Sequence, residues 1–318
     1  MLNASSKTKM ITLIGLSIAF ILIYQFIFVD MKYFDYAMKI RMPKLIAMVI
    51  AAFCIGTASI VFQSIIRNRI VTPCLLGMNS LYILIHTSCY FFMGSGAFIV
   101  ANKHTAFLTD IILMGIAGTF VYSYLFKKTK YNILYVLLAG TVLATFFSSI
   151  SDVMTRSMDV NEYDQLLAEL VPGFDHVNSE LILMALGLIL ITTIVFWKDL
   201  KLLDVITLGK NQAINLGVNY DKTVTRLLVG VTFFITIATA LVGPISFLGL
   251  IIANLSREFF KTYRHSYLMM GSFLMGVIVL MGGQTLIEHV FGFGTQISVF
   301  INLFGGLYFL YLVLVNKG

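Results

Sequence analysis

Charge is scarce in this sequence. Charged residues make up 12% of 318, while 59% are hydrophobic. A soluble domain of this size carries about a quarter charged residues, so this chain has too few to cover a water-facing surface. Cysteine is scarce too. Cys54, Cys74 and Cys89 lie in or beside apolar runs, without metal-ligand spacing or nearby histidines. They read as small buried hydrophobes rather than ligands or disulfide partners. A Gly-rich phosphate loop is missing, and the length left between the apolar runs holds no nucleotide-binding domain. His86, His104, His176, His265 and His289 are scattered. None forms a His-x-x-x-His or Glu-x-x-His pair on one helical face, so neither a metal site nor a bound cofactor is indicated. Asp110 and Asp152 fall near predicted helix ends, and Glu288 beside a predicted outer loop, where solvated positions are expected. Acidic residues are missing from the predicted midplane, where a proton- or sodium-coupled transporter usually needs them. Energy then comes from a partner, or flow is passive. Sodium sites built from backbone carbonyls stay open.

What is present is long apolar runs. A membrane-crossing helix needs roughly 20 apolar residues. Runs at 10–29, 45–66, 75–93, 107–126, 133–154, 181–197, 224–241, 266–287 and 295–315 are read as spans, with a Gly-interrupted 244–256 as a shortened one. The expected fold is an all-α, polytopic membrane protein of about ten transmembrane helices, one domain over residues 1–318. The first run is long for a signal peptide and lacks a small-residue cleavage site, so it is read as a helix. Residues 155–180 are read as a polar segment. Placing both termini in the cytoplasm puts 16 of the 22 basic but only 4 of the 15 acidic residues inside, as the positive-inside rule requires. The net charge of +7 is thereby explained without nucleic acid. Gly56, Ser59, Gly115, Gly118, Gly271 and Gly276, and the pairs Gly282-Gly283 and Gly305-Gly306, suit close helix packing; a moving or pore-lining role is the alternative.

The most informative segment is the inner loop 202–226. It is longer than an idle connection needs. Gly209 and Gly217 are placed to end two short helices, giving a rigid knob able to pass force between a soluble partner and the bundle.

Several motifs in order carry a resemblance. Leu208-Gly209, Ala213 and Leu216-Gly217 resemble the ATPase-coupling loop of FecCD-type (iron-siderophore and vitamin B12) permeases, the ten-helix type II ABC importers. Arg41-Met42-Pro43-Lys44 is similar to that family's Arg-Leu-Pro-Arg before helix two, and Gln63 to Pro73, with Leu76-Gly77, to its Gln … Asn-Pro-Leu-Ala-x-Pro … Leu-Gly. Leu137-Leu138-Ala139-Gly140, the stretch Gly243 to Leu250, and Arg257 match further motifs. Three positions depart: Arg69 replaces a proline, Ala253-Asn254 a Pro-His pair, and Phe293-Gly294-Thr295 a Pro-Val-Gly. The pattern looks like the catecholate-siderophore branch, similar to petrobactin and anguibactin permeases.

The resemblance implies a transport subunit in a bacterial cytoplasmic membrane, not an enzyme, that needs no cofactor. It implies a coupling loop over about 202–222, two ATPase subunits docking on it, a second permease subunit (identical or similar), an extracytoplasmic siderophore-binding lipoprotein, and a ferric siderophore as cargo. It implies that Arg41 and Lys44 dock the binding protein, with interface snorkelling as the alternative. It implies that Asn68 and Ile70 narrow the cytoplasmic exit, with loop packing as the alternative. A partner-independent secondary transporter or channel is the competing function.

Overall fold

A computed structural model describes residues 4–129, 133–174, 177–292 and 295–315. Lys130, Asp175, His176, Phe293, Gly294 and Lys317 lie outside them. All regular structure among the described residues is helical: α1 (Ala4–Phe26), α2 (Phe34–Ile66), α3 (Met78–Met93), α4 (Phe98–Ala101), α5 (Lys103–Lys128), α6 (Ile133–Arg156), α7 (Val160–Leu170), α8 (Ser179–Lys201), α9 (Leu203–Ile206), α10 (Lys210–Asn215), α11 (Tyr220–Val242), α12 (Leu248–Phe260), α13 (His265–His289) and α14 (Ile297–Val315). Eight of these, α1, α2, α5, α6, α8, α11, α13 and α14, are long and apolar enough to cross a membrane. In a bilayer the backbone has no water to bond, so helices are the expected solution. The other two runs read as spans fold as α3, of 16 residues, and α12, of 13.

The bundle is built around α2. It is buried over most of its length, packs on α11 and α13, and leaves α1, α6 and α14 largely exposed. Small residues set the closest approaches, as the sequence indicated. A methyl group at Gly276 would sit 2.8 Å from Ala52 Cβ, and one at Gly56 3.0 Å from Ser272 Oγ, so α13 lies against the backbone of α2. Gly118 meets Thr232 across α5 and α11 in the same way, whereas Gly306 faces open space. Cys54 and Cys74 are buried, and all three cysteines are free thiols.

Three expectations need correction. Helix two does not start at 45 but at Phe34, with Pro43 inside it. Charged Asp35, Lys39, Arg41 and Lys44 end the apolar run without ending the backbone helix. Proline removes one intrahelical bond, and the turns on either side hold. The segment 155–180 contains α7, capped by Asp159 accepting from Asn161 N. Finally, Glu288 and Asp110 are not solvated. They are 7% and 5% exposed, enclosed by neighbouring helices.

Candidate functional site

The loop after α8 folds as the knob its glycines suggested. Gly209, at φ +114°, separates α9 from α10. Gly217, at φ +81°, closes α10 with bonds from Gly217 N to Ile214 O and from Val218 N to Ala213 O, a Schellman cap. Ala213 is fully buried inside the knob, while Leu208, Ile214 and Leu216 each expose half or more of their surface. Three apolar side chains are thereby held outward around a buried base.

The knob is bolted to the bundle at two points, and an ion pair braces the helices that flank it. Asp204 of α9 accepts from His265 N at the start of α13 (2.9 Å) and lies against the His265 ring; a carboxylate there also suits the positive end of the helix. Arg67, at the end of α2, packs on Gly209 so closely that a methyl group there would lie 2.7 Å from Nη2. Arg226 of α11 donates to Asp199 at 2.9 Å, tying α11 to the end of α8.

Beside Arg67 runs the loop holding Asn68 and Ile70. Ile70 N donates to Asn68 Oδ1 at 2.8 Å, a local turn. The Arg69 carbonyl accepts from both Gln63 Nε2 (2.8 Å) and Asn254 Nδ2 (2.9 Å). Arg257 then donates to Gln63 Oε1 and Ser64 Oγ. The loop between α2 and α3 is therefore pinned to α12 by side-chain amides. Asn254 stands at a position the sequence marked only as a departure, and its role was not read from it. The same residues wall a cavity of about 630 Å³ containing Arg67, Arg69, Arg257 and Lys261 but one carboxylate, Glu258.

Arg41 and Lys44 sit at the other end of α2, turned inward. Arg41 Nη1 donates to the carbonyls of Tyr24, Gln25 and Ile27, satisfying the bare end of α1. Both cations approach Glu288 at about 4 Å, and that carboxylate also accepts from Tyr24 and Gln284. The exposed cations nearby are Lys32 and Lys39.

The same half of the molecule holds a polar cavity of about 570 Å³ between α3, α5 and α7. His86, halfway along α3, meets Asp110 at 3.1 Å there, with Tyr82 stacked on the imidazole and Tyr90 tilted against it. Asp110 was expected at a solvated helix end; it lies in the first third of α5 but is buried against His86. The two residues are 24 positions apart, and only the packing of α3 on α5 joins them.

Comparison with known proteins fits these parts together. The chain is 41% identical over 309 residues to the petrobactin import system permease protein YclO of Bacillus subtilis, covering 97% of this chain and 98% of that one. It is 35% identical over 289 residues to the petrobactin import system permease protein FatC of Bacillus anthracis, covering 91% and 82%. A solved inward-facing structure of a metal-chelate type ABC transporter superposes with a TM-score of 0.82 over 99% of this chain, at 21% identity, and so shares its fold. The model of the FecCD transport family matches residues 5–315, and the chain belongs to that family.

Proposed function

We propose that this chain is the membrane-spanning permease of an ABC importer for a ferric siderophore, with petrobactin the first cargo to test. The observation that carries this is near full-length identity of 41% and 35% to two petrobactin import permeases. Ten spans are proposed, counting α3 and α12 with the eight longer helices. Both termini are placed in the cytoplasm. In that orientation Arg67, Arg69, Arg257 and Lys261 all lie on the inner side, as membrane insertion favours.

The mechanism follows from the knob. Two ATPase subunits, one on each permease of a pair, dock on Leu208, Ile214 and Leu216. Their movement on ATP binding and hydrolysis pulls α9, and through Asp204 and Arg67 it pulls the starts of α13 and the end of α2. That displaces the loop with Asn68 and Ile70, which narrows the inner exit. The amide bonds to the Arg69 carbonyl are the contacts it exchanges. Outside, a tethered binding protein delivers the chelate. Arg41 and Lys44 lie at the docking face but are engaged by Glu288, so docking through them requires that cluster to open.

Uptake of radioactive iron, presented as ferric petrobactin and as other chelates, tests the reading in cells with and without the gene. Loss of petrobactin uptake, restored by the intact gene, is expected. Unchanged uptake of every chelate would overturn it. The buried His86–Asp110 pair favours one competitor, an ion-coupled transporter working alone. ATP depletion in vesicles holding the whole system abolishes uptake on the present reading and spares it on the other.

A further inference from the structure

One wide groove belongs to neither the knob patch nor the exit. It runs between α5 and α11 as an open trench of about 1420 Å³, lined by the exposed Ile112, Ile116 and Phe120 with half-buried Phe233 beneath them. At the knob end four cations crown it: Lys127, Lys210, Lys222 and Arg226. Two are neutralised locally, Lys210 by Asp221 at 2.8 Å and Arg226 by Asp199 at 2.9 Å. Lys127 and Lys222 are exposed, and among the described residues no carboxylate lies within ion-pair distance of either. The crown therefore carries about two uncompensated positive charges.

The dimensions match one molecule. From Lys127 back to Ile112 along α5 is 15 residues, roughly 22 Å at the rise of an α-helix. One leaflet with its headgroup region is half of a bilayer, about 21 Å. An apolar trench one leaflet deep, with net positive charge at its mouth, fits a chain-bearing anion. A neutral lipid would leave the charge unmet, and a soluble anion would leave the trench unfilled.

We propose that this groove binds an anionic phospholipid, its acyl chains along α5 and α11 and its headgroup on Lys127 and Lys222. Asp221 and Lys222 begin α11 and Lys210 begins α10, so the headgroup lies against the knob and steadies its base. The inference rests on the chain spanning a bilayer and not on its cargo; its failure would leave petrobactin uptake untouched.

The test uses one tryptophan. The chain's single tryptophan, Trp197, is replaced by Phe, and Phe120→Trp reports from the groove. The purified full-length chain is placed in phosphatidylcholine vesicles containing the same small fraction of brominated phosphatidylglycerol or of brominated phosphatidylcholine. Quenching several-fold stronger with phosphatidylglycerol is expected. Lys127→Gln and Lys222→Gln should each lower that preference about fivefold, the contribution of one surface cation to anionic-lipid binding. Raising the salt concentration on the lysine-intact protein should lower it in parallel, which keeps the test decisive if a lysine variant folds poorly. Equal quenching by the two lipids would reduce the groove to ordinary lipid contact. Quenching by neither would mean that another helix fills it. A preference insensitive to both lysines and salt would remove the headgroup from the crown. Any of these three overturns the proposal.

Discussion

The two ends of α2 are built from similar residues and held in opposite ways. Near its start, Arg41 and Lys44 converge on one buried carboxylate, Glu288, and Arg41 also caps α1. Past its end, Arg67 and Arg69 join Arg257 and Lys261 around a cavity, and the loop is fixed by two side-chain amides on the Arg69 carbonyl, with Arg257 bracing Gln63 and Ser64 behind them. A buried charge cluster is costly to open, because each ion left behind is stranded in a low dielectric. Amide hydrogen bonds next to a polar cavity can exchange for water at a net cost of about 1 kcal/mol each. On this contrast one end is the fixed joint, and the other is where movement of the chain is proposed. The knob is attached to the second.

Breaking the fixed joint should have the largest effect. Glu288→Leu removes the carboxylate that Arg41 and Lys44 share, and removing one side of a buried ionic cluster costs about 3–5 kcal/mol. Detergent-solubilised protein should lose thermal stability accordingly. Adding Arg41→Met and Lys44→Met should recover part of that loss, because the pair then has no uncompensated charge. If Glu288→Leu alone is as stable as the parent, the joint is not held by charge and the contrast between the ends fails.

The second effect falls on the knob. Gly209 combines φ +114° with the Arg67 guanidinium at its back, whereas Gly217 has φ +81° and open space around it. Alanine at 209 should cost about 2–3 kcal/mol locally, and alanine at 217 about 1, from backbone strain. Gly209→Ala should therefore abolish uptake at normal expression, with Gly217→Ala much milder. Normal uptake by Gly209→Ala would detach the knob from transport. At the loop, Asn254→Leu removes one of two bonds to the Arg69 carbonyl. It should weaken the loop by about 1 kcal/mol and raise the labelling rate of a cysteine placed at Ile70 several-fold. An unchanged rate would assign the pinning to Gln63 alone.

Much of this contrast was legible where chemistry is local. Gly209 and Gly217 stood out because a positive φ restricts the choice of residue, and the spans stood out as apolar runs. The start of α2 was hidden because charges broke the run, although a helix is a property of the backbone. The reason it survives is Glu288, more than 240 positions away. The pairing of His86 with Asp110 was hidden for the same reason. The helix α7 could have been found: Tyr163, Leu166, Leu167 and Leu170 repeat at helical spacing after the Asp159 cap, but the surrounding acidic residues masked it. What the sequence withheld were the long-range partners that neutralise a charge or satisfy a carbonyl.

The smallest effect expected on the folded chain separates attachment from contact. Ile214 and Leu216 are 52% and 62% exposed, so serine at both should shift stability by no more than about 0.5 kcal/mol. The buried floor of the knob, Ala213, is untouched, and so are the bolts through Asp204 and Arg67. If the patch receives the ATPase, its loss removes apolar area only from the complex. Co-purification of the ATPase with the double variant should then fall about tenfold or more, because two such side chains are each worth about 1.5–3 kcal/mol when fully buried. Uptake should fall with it while the melting temperature holds. A double variant that binds the ATPase normally would place the contact elsewhere on the inner face. The inner end of α2 would then lose its proposed driver.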